Sequence, residues 1–353
     1  MKITLIIPTF LQGGMERIMS ELGNYWAENG HVIDIVFLVN HTPSFTIGSK
    51  INTVTMPHFF YKKTALSKFF YSIRLLFYLR RHIKKVSPSV ILSFGEGYNS
   101  FVLLSAIGLN KNVYISDRSN PLAPLSRSLR FFQKLLYPRA KGIFAQTSFA
   151  KQVLLKTTKQ KNVILLPNPI KVIKNEPLEK KDIILNVGRL VWEKDQLSLI
   201  RIFKNLSHLG WKLHIIGEGP MRGALEQEIE KLNLQGKVVL LGSQKNLGKY
   251  FSNAKIFAFT SVSEGYPNAL CEAMAFPLAC ISFDCDAGPR DIIDHGINGL
   301  LIEAGNMKKF EEELLRLMTS EELQDKLKKQ SVKIAENQTI DKIANTILKE
   351  FEK

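Results

Sequence analysis

The sequence predicts an α/β chain built as two halves of βαβ units. Strand-like apolar runs alternate with amphipathic helical stretches, which is the pattern of repeated βαβ units. A chain of 353 residues is also long enough for two domains that each bury a core. In the first half the strand-like runs are residues 2–9, 32–39, 89–94, 112–116, 142–146 and 162–166. In the second half they are 182–187, 212–217, 237–241, 255–260, 278–283 and 299–302. Pro167, Pro169 and Pro177, with polar residues between them, interrupt the apolar pattern, so the linker is placed there. The expected domains are 1–168 and 169–338, followed by a C-terminal segment 339–353 that carries one more helix.

The most informative stretch is S-E-G-Y-P-N-A-L-C-E-A-M-A, starting at Ser263. Gly265 and Pro267 keep Glu264 out of the following helix, and Pro267 suits the first helical position. Asn268, Ala269 and Leu270 then fall in the first turn, where backbone N–H groups lack intrahelical partners. Those groups and the helix dipole suit a phosphate. Glu272 lies one turn further in, within reach of hydroxyls attached to that phosphate, and Glu264 stands in front of it. Two hydroxyl-accepting carboxylates around a phosphate cradle fit a nucleotide diphosphate-sugar. A surface helix starting after any Gly/Pro turn carries similar residues, so the reading needs a second cluster.

That cluster is D-I-I-L-N-V-G-R-L-V-W-E-K-D, residues 182–195. An apolar run ending in Gly188 is a strand-to-loop exit, and ligands of open α/β sheets bind at such carboxyl ends. Arg189 can fork two phosphate oxygens, and Lys194 adds a point charge. Two cations opposite a helix N-terminus meet the need of a leaving diphosphate.

Gly188-Arg189 with Lys194, then Glu218-Gly219-Pro220 after a strand, then Glu264 and Glu272, resemble the nucleotide-sugar half of the retaining glycosyltransferases of family 4. The run D-A-G-P-R-D-I-I-D-H-G-I-N-G-L-L from Asp286 is similar to that family, as is the start I-T-L-I-I-P-T-F followed by Q-G-G-M-E-R from Gln12. The resemblance covers nearly the whole chain. It implies the GT-B fold, two facing Rossmann-like domains with the active site in the cleft, and a last helix crossing back to the first domain. It further implies sugar transfer with retention, with Glu264, Arg189 and Lys194 at the chemistry. The donor side would be Gly188, Arg189, Lys194, Glu218, Gly265, Tyr266, Pro267, Asn268, Ala269, Leu270 and Glu272. A hexose or N-acetylhexosamine is expected to leave a uridine diphosphate donor, the base being set by bacterial relatives. The resemblance is closest to enzymes that extend lipid-linked bacterial glycans, which makes a polyprenyl-diphosphate-linked acceptor the expectation. A soluble acceptor is the alternative, and a non-catalytic basic scaffold is the alternative from another class. No cofactor is expected.

Charge is the second informative feature. Residues 1–168 carry 22 Lys and Arg against six Asp and Glu, a surplus equal to the +16 of the whole chain. Residues 169–353 carry 26 of each. Between Asp34 and Glu96 no acidic residue occurs. Within that gap Leu66, Phe69, Phe70, Ile73, Leu76, Phe77 and Leu79 form most of one helical stripe, flanked by Lys63, Lys68, Arg74, Arg80, Arg81, Lys84 and Lys85. A basic amphipathic helix with aromatics reads as lying on an anionic membrane surface. Residues 127–141 are a second candidate. The expected location is therefore cytoplasmic, peripheral on the inner face of the cell membrane. The stripe packing on the Rossmann core, with its lysines solvated, is the competing reading. No recognition motif accompanies the charge, so nucleic acid is not an expected partner.

Gly13-Gly14 resembles the family's acceptor-side loop, and Lys68, Arg74 and Arg81 are read with it as acceptor-side residues. It does not make a dinucleotide fingerprint, because no G-x-G-x-x-G is present. Asp117 and Arg118 follow a strand and are also expected on the acceptor side. Relatives often carry a His at the position aligned with Arg118. Arg stays protonated, so it can hold a phosphate or sugar but does not act as a base. Asp284-Cys285-Asp286 matches a D-x-D metal signature, but the diphosphate already has two cations and a helix end, so no metal is expected. Cys271, Cys280 and Cys285 read as reduced core thiols.

Overall fold

The computed structural model describes residues 1–8, 13–39, 45–56, 64–171 and 178–353, with only the backbone of 65, 66, 68 and 69. Gln12, Lys63, most of the linker and the side chains of Leu66, Lys68 and Phe69 therefore lie outside the described residues. Contacts divide the chain into two compact units, one of residues 1–169 with 340–353, the other of 170–339.

The first unit runs β1 (Lys2–Ile7), α1 (Gly14–Glu28), β2 (Val32–Phe37), β3 (Asn52–Thr55), α2 (Ala65–Val86), β4 (Val90–Phe94) and α3 (Glu96–Ala106). It continues through β5 (Asn112–Ser116), α4 (Arg127–Leu136), β6 (Gly142–Ala145), α5 (Ser148–Thr158) and β7 (Val163–Leu165). The strands form a parallel sheet in the order β3-β2-β1-β4-β5-β6-β7. Parallel strands are buried on both faces, which is why they read as unbroken apolar runs. Ile3, Leu5 and Ile7 of β1 face one core with Ile18, Leu22 and Trp26 of α1. Ile6 faces the other, with Leu75, Leu79 and Ile83 of α2. The sequence reading missed β3, a short, largely exposed edge strand with no apolar alternation to mark it.

The second unit runs β8 (Lys181–Val187), α6 (Gln196–Leu206), β9 (Lys212–Ile216), α7 (Arg222–Lys231), β10 (Val238–Leu240), α8 (Gly248–Asn253) and β11 (Ala254–Phe259). Then come α9 (Asn268–Ala275), β12 (Ala279–Asp284), β13 (Leu300–Glu303), α10 (Met307–Thr319), α11 (Glu321–Ser331) and α12 (Lys333–Asn337). Its parallel sheet has the order β10-β9-β8-β11-β12-β13. Both sheets are thus doubly wound. The order reverses between β1 and β4 in one and between β8 and β11 in the other, and ligands of such sheets bind at the carboxyl ends there.

The last helix, α13 (Ile340–Phe351), packs in the first unit. Phe351 lies against Tyr114 (ring centroids 5.0 Å apart), Trp26 (6.0 Å) and Phe144 (6.4 Å). The Tyr114 hydroxyl donates to the Glu350 carbonyl at 2.5 Å. Truncating a buried aromatic costs about 3–5 kcal/mol. Phe351→Ala should therefore destabilise the first unit by that order, seen as an earlier midpoint in urea denaturation followed by tryptophan fluorescence. An unchanged midpoint would show that α13 is dispensable to the core.

Candidate functional site

In the second unit, three backbone exits converge at the switch point. Gly188 ends the β8 run, and its N–H donates to the Ile216 carbonyl at 2.9 Å. Leu190 N–H donates to the Glu218 carbonyl, and Met221 N–H to the Leu190 carbonyl, each at 2.9 Å. This packing explains two glycines. A Cβ on Gly217, which has φ +149°, would sit 1.8 Å from the Gly188 oxygen, and one on Gly219 would sit 2.3 Å from the Leu190 oxygen. The loop after β11 joins the same knot. The Thr260 hydroxyl donates to the Lys194 and Asp195 carbonyls, and Val262 N–H to the Glu193 carbonyl.

That knot brings Lys194 and Glu264 together, 70 residues apart in sequence, as a direct ion pair. Glu264 is only 8% exposed, so its carboxylate needs this partner. Arg189, next after Gly188, is exposed, its carbonyl held by the Gln196 side chain at 3.1 Å. Glu218 is exposed and pairs with Arg222 at 2.7 Å.

The helix after Glu264 differs in detail from the expectation. Pro267 is the N-cap residue, not the first helical residue, and Asn268 opens α9. The Asn268 N–H already donates to the Tyr266 carbonyl, and the Leu270 N–H to the Pro267 carbonyl. Of the three first-turn N–H groups, only that of Ala269 has no backbone partner among the described residues. Tyr266 and Leu270 are buried in the core, and the Tyr266 hydroxyl donates to Gln338 at 2.8 Å. Whatever these two offer a ligand comes from backbone. A Cβ on Gly288, with φ +108°, would lie 2.3 Å from Pro267 Cδ, so Gly288 permits the cap to pack. Glu272 sits half-buried one turn into α9. Sequence reasoning missed Asn186 and Ser261, whose buried Oδ1 and Oγ lack partners among the described residues at the ends of β8 and β11. Asn186 is a polar break in the apolar run of β8, the one sign of it in the sequence.

The D-x-D pair is partly engaged, with Asp284 held bidentately by Arg290 at 3.0 Å. All three cysteines are buried, and none is in a disulfide among the described residues. Burial, then the Glu264 charge, pushes the Cys285 thiol up to about 12.

In the first unit, Asp117 and Arg118 leave β5 into a dense polar cluster. Asp117 accepts from Tyr137 at 2.7 Å and Asn99 at 2.8 Å. The residue keeps some exposure, but its carboxyl is walled in. Burial raises its pKa to about 6, opposed by the Tyr137 hydrogen bond. The Arg118 guanidinium lies 3.8 Å over the Phe94 ring and donates to Asn168 at 2.6 Å, with its Nε unpartnered. Burial lowers its pKa to about 9. Glu96, unread in the sequence, accepts from Ser119 at 2.7 Å and from the Arg118 backbone at 3.4 Å. Gly13 caps α1 and Gly14 opens it. A Cβ on Gly13 would meet the Glu16 carboxylate at 2.3 Å, so that carboxylate sits against the turn.

Arg74 and Arg81 are not part of that carboxyl-edge cluster. Both are exposed on α2, whose core-facing stripe is Leu75, Leu79 and Ile83. Arg81 lies ~24 Å along α2 from its start. The expected apolar stripe is corrected here: Leu79 is buried, whereas Phe70 and Phe77 are 57% and 65% exposed.

With this geometry in hand, the comparisons are specific. Residues 12–173 match the model "Glycosyltransferase Family 4", and residues 169–333 match "Glycosyl transferases group 1". An uncharacterized glycosyltransferase of Methanocaldococcus jannaschii is 34% identical over 61% of this chain and 60% of that protein. A Campylobacter jejuni GalNAc-alpha-(1->4)-GalNAc-alpha-(1->3)-diNAcBac-PP-undecaprenol alpha-1,4-N-acetyl-D-galactosaminyltransferase is 26% identical over 86% of this chain and 84% of that one. In fold, the chain matches a variant of S. aureus TarM, solved with fondaparinux, alpha-GlcNAc-glycerol and UDP. The TM-score is 0.81, with 15% identity and full coverage of both chains. The chain is a glycosyltransferase of the GT-B type.

Removing one partner of a buried ion pair costs about 3–5 kcal/mol, because the other charge stays buried alone. Lys194→Ala should lower the stability of the second unit by that order, and Lys194→Arg should restore part of it. Thermal unfolding without ligand measures this. Equal melting temperatures for parent and Lys194→Ala would mean the pair contributes nothing.

Proposed function

We propose that the chain transfers a hexose or N-acetylhexosamine, with retention of configuration, from a uridine diphosphate sugar to a lipid-linked glycan. The observation that carries the reading is the Lys194–Glu264 pair at the switch point of the second unit, with Arg189 in the same loop after β8 and the α9 N-terminus following Glu264. Relatives support the finer terms: the Campylobacter protein is named for a diphospho-undecaprenol-linked substrate, and the TarM structure holds UDP.

In this reading the diphosphate meets Arg189, Lys194 and the start of α9, through Gly188, Gly265, Pro267, Asn268 and Ala269. Glu272 accepts from ribose hydroxyls. Glu264 holds the sugar and shares Lys194 with the phosphate. As the bond between C1 and the phosphate oxygen breaks, the acceptor oxygen bonds C1 from the same face, and its proton passes to the leaving phosphate. The two cations stabilise charge that grows only in the transition state. No metal is needed to neutralise it. In the first unit, Gly13, Gly14, Asp117 and Arg118 form the acceptor side.

Losing one charged hydrogen bond costs about 1.5–3 kcal/mol, roughly 10- to 150-fold. Arg189→Ala should lose turnover by that factor at saturating donor. The assay is nucleotide release from a panel of nucleotide sugars, with and without EDTA. Unchanged turnover in Arg189→Ala would remove it from the mechanism, and loss of parent activity in EDTA that manganese restores would put a metal in its place.

The first unit also supports attachment to an anionic membrane. Phe77 of α2 and Phe131, Phe132 and Leu135 of α4 are exposed, and both helices flank α3, which exposes Leu104. Arg74, Arg81, Lys84, Lys85, Arg127, Arg130 and Lys134 are exposed with them. No helix among the described residues is long and apolar enough to cross a membrane. Each basic residue near such a surface contributes roughly 1 kcal/mol, screened within about 8 Å at physiological salt. Replacing Arg74, Arg81 and Lys85 by Ser should cut sedimentation with anionic vesicles and leave UDP binding intact. Transfer to a lipid-linked acceptor should fall more than transfer to a water-soluble analogue. Parental sedimentation by the variant would leave α2 a core helix with a solvated basic face.

A further inference from the structure

We infer that the second unit carries another ligand site, at the amino-terminal edge of its sheet, for a sugar bearing an anionic group. A cavity of about 490 Å³ opens there, lined among others by Ile183, Lys212, His214, Lys249, Tyr250 and Asn253. That volume lies in the range of small-molecule sites. It is distinct from the loops around Gly188, because Ile183 precedes Gly188 by about 16 Å of strand.

The topology makes the cavity. In the β8–β9 register Ile183 sits opposite Lys212 and Leu185 opposite His214, so these side chains share one sheet face. The short helix α8 lies over β8 on that face and contributes Lys249, Tyr250 and Asn253. α8 is held at its C-terminal end by Lys180, whose Nζ donates to the Ala254 carbonyl at 2.8 Å and the Phe251 carbonyl at 3.4 Å.

The lining has three chemical features. Lys181, Lys212 and Lys249 are exposed ammonium groups around the rim. Among the described residues the lining carboxylate is Asp182, which is engaged by Lys255 at 2.8 Å. The rim is therefore cationic and suits a phosphate or carboxylate. Asn253 Oδ1 is buried with no hydrogen-bond partner, an unmet acceptor that asks for a hydroxyl. The Lys249 ammonium lies over the Tyr250 ring, 4.8 Å from its centroid, which holds that cation at the rim. His214 is half-buried, and desolvation, then Lys212, lowers its pKa, which leaves it neutral at pH 7 and able to donate or accept. An anion alone would use the rim and leave Asn253 unmet. A neutral sugar would leave the lysines unused. A sugar carrying an anionic group uses both.

The probe is glucose 1-phosphate, with inorganic phosphate, glucuronate and glucose as comparisons, titrated calorimetrically into the full chain. Three variants are compared with the parent: Lys212→Glu with Lys249→Glu, Asn253→Leu, and Arg189→Ala. All three lysines are exposed, so the charge-reversed variant should fold, and circular dichroism checks this. The expected result is that glucose 1-phosphate or glucuronate binds the parent, and binding weakens about tenfold or more in the charge-reversed variant, about 1.4 kcal/mol. Asn253→Leu should weaken the sugar ligand but not inorganic phosphate. Arg189→Ala should keep the binding, which separates this site from the diphosphate loops. Binding of glucose 1-phosphate over glucuronate identifies a phosphosugar, and the reverse an acidic sugar. No binding to the parent, binding lost only in Arg189→Ala, or inorganic phosphate binding as tightly as the sugars would each overturn the inference.

Discussion

Burial of the Glu264 carboxylate is the constraint on which the second unit's site depends. A carboxylate at 8% exposure is held only if a cation reaches it, and Lys194 is that cation. Lys194 reaches it because the loop after β8 folds back against the loop after β11, through the Thr260 and Val262 hydrogen bonds. The loop after β9 packs on the same β8 exit, and that packing needs Gly217 and Gly219, where any Cβ would strike backbone oxygen. Glycine placement, loop packing and charge pairing are thus one problem. The pair also leaves the ammonium group of Lys194 committed to a carboxylate within the unit.

The two units solve the same topology with opposite electrostatics. The second balances its charges and spends them locally in pairs such as Arg201–Glu228 and Lys255–Asp182. The first has little acid to spend. Asp34 is buried between His82, Asn52 and Thr4, and the Asp117 carboxyl lies between Tyr137 and Asn99. Many of its basic residues, among them Arg81, Lys84, Lys85, Arg127, Arg130 and Lys134, are exposed on the surface. The exposed aromatics of α2 and α4 fall among them. A helix that covers a sheet can keep one aliphatic row inward, and Leu75, Leu79 and Ile83 take that role in α2. Phe70 and Phe77 are left outside.

Most of the strands were legible because parallel strands buried on both faces are short and continuously apolar. The exception, β3, is an exposed edge. The cluster at the exits of β8 and β11 was legible as residue types: glycine exits, cations, and carboxylates around a helix start. Its internal bonding was not. Nothing in the spacing of Lys194 and Glu264 announces an ion pair. Nothing in the run around Pro267 announces that Asn268 and Leu270 spend their N–H groups on local carbonyls. Glu96 was invisible for the same reason, since its partners Arg118 and Ser119 come from the next strand's exit.

By itself, then, the sequence determined the doubly wound class, the break near Pro169, the glycine-rich exits and the concentration of positive charge before residue 169. These are local patterns of hydropathy, turn chemistry and composition, and local patterns need no partner to be read. Only the tertiary structure decided which charge meets which, which face of α2 turns inward, that α13 completes the core of the first unit, and that a lysine-rimmed cavity lies beside α8. Each of those depends on segments far apart in the chain being brought to contact distance, where desolvation makes a pairing obligatory. The register of β8 on β9 and the sheet order β10-β9-β8-β11-β12-β13 set those distances.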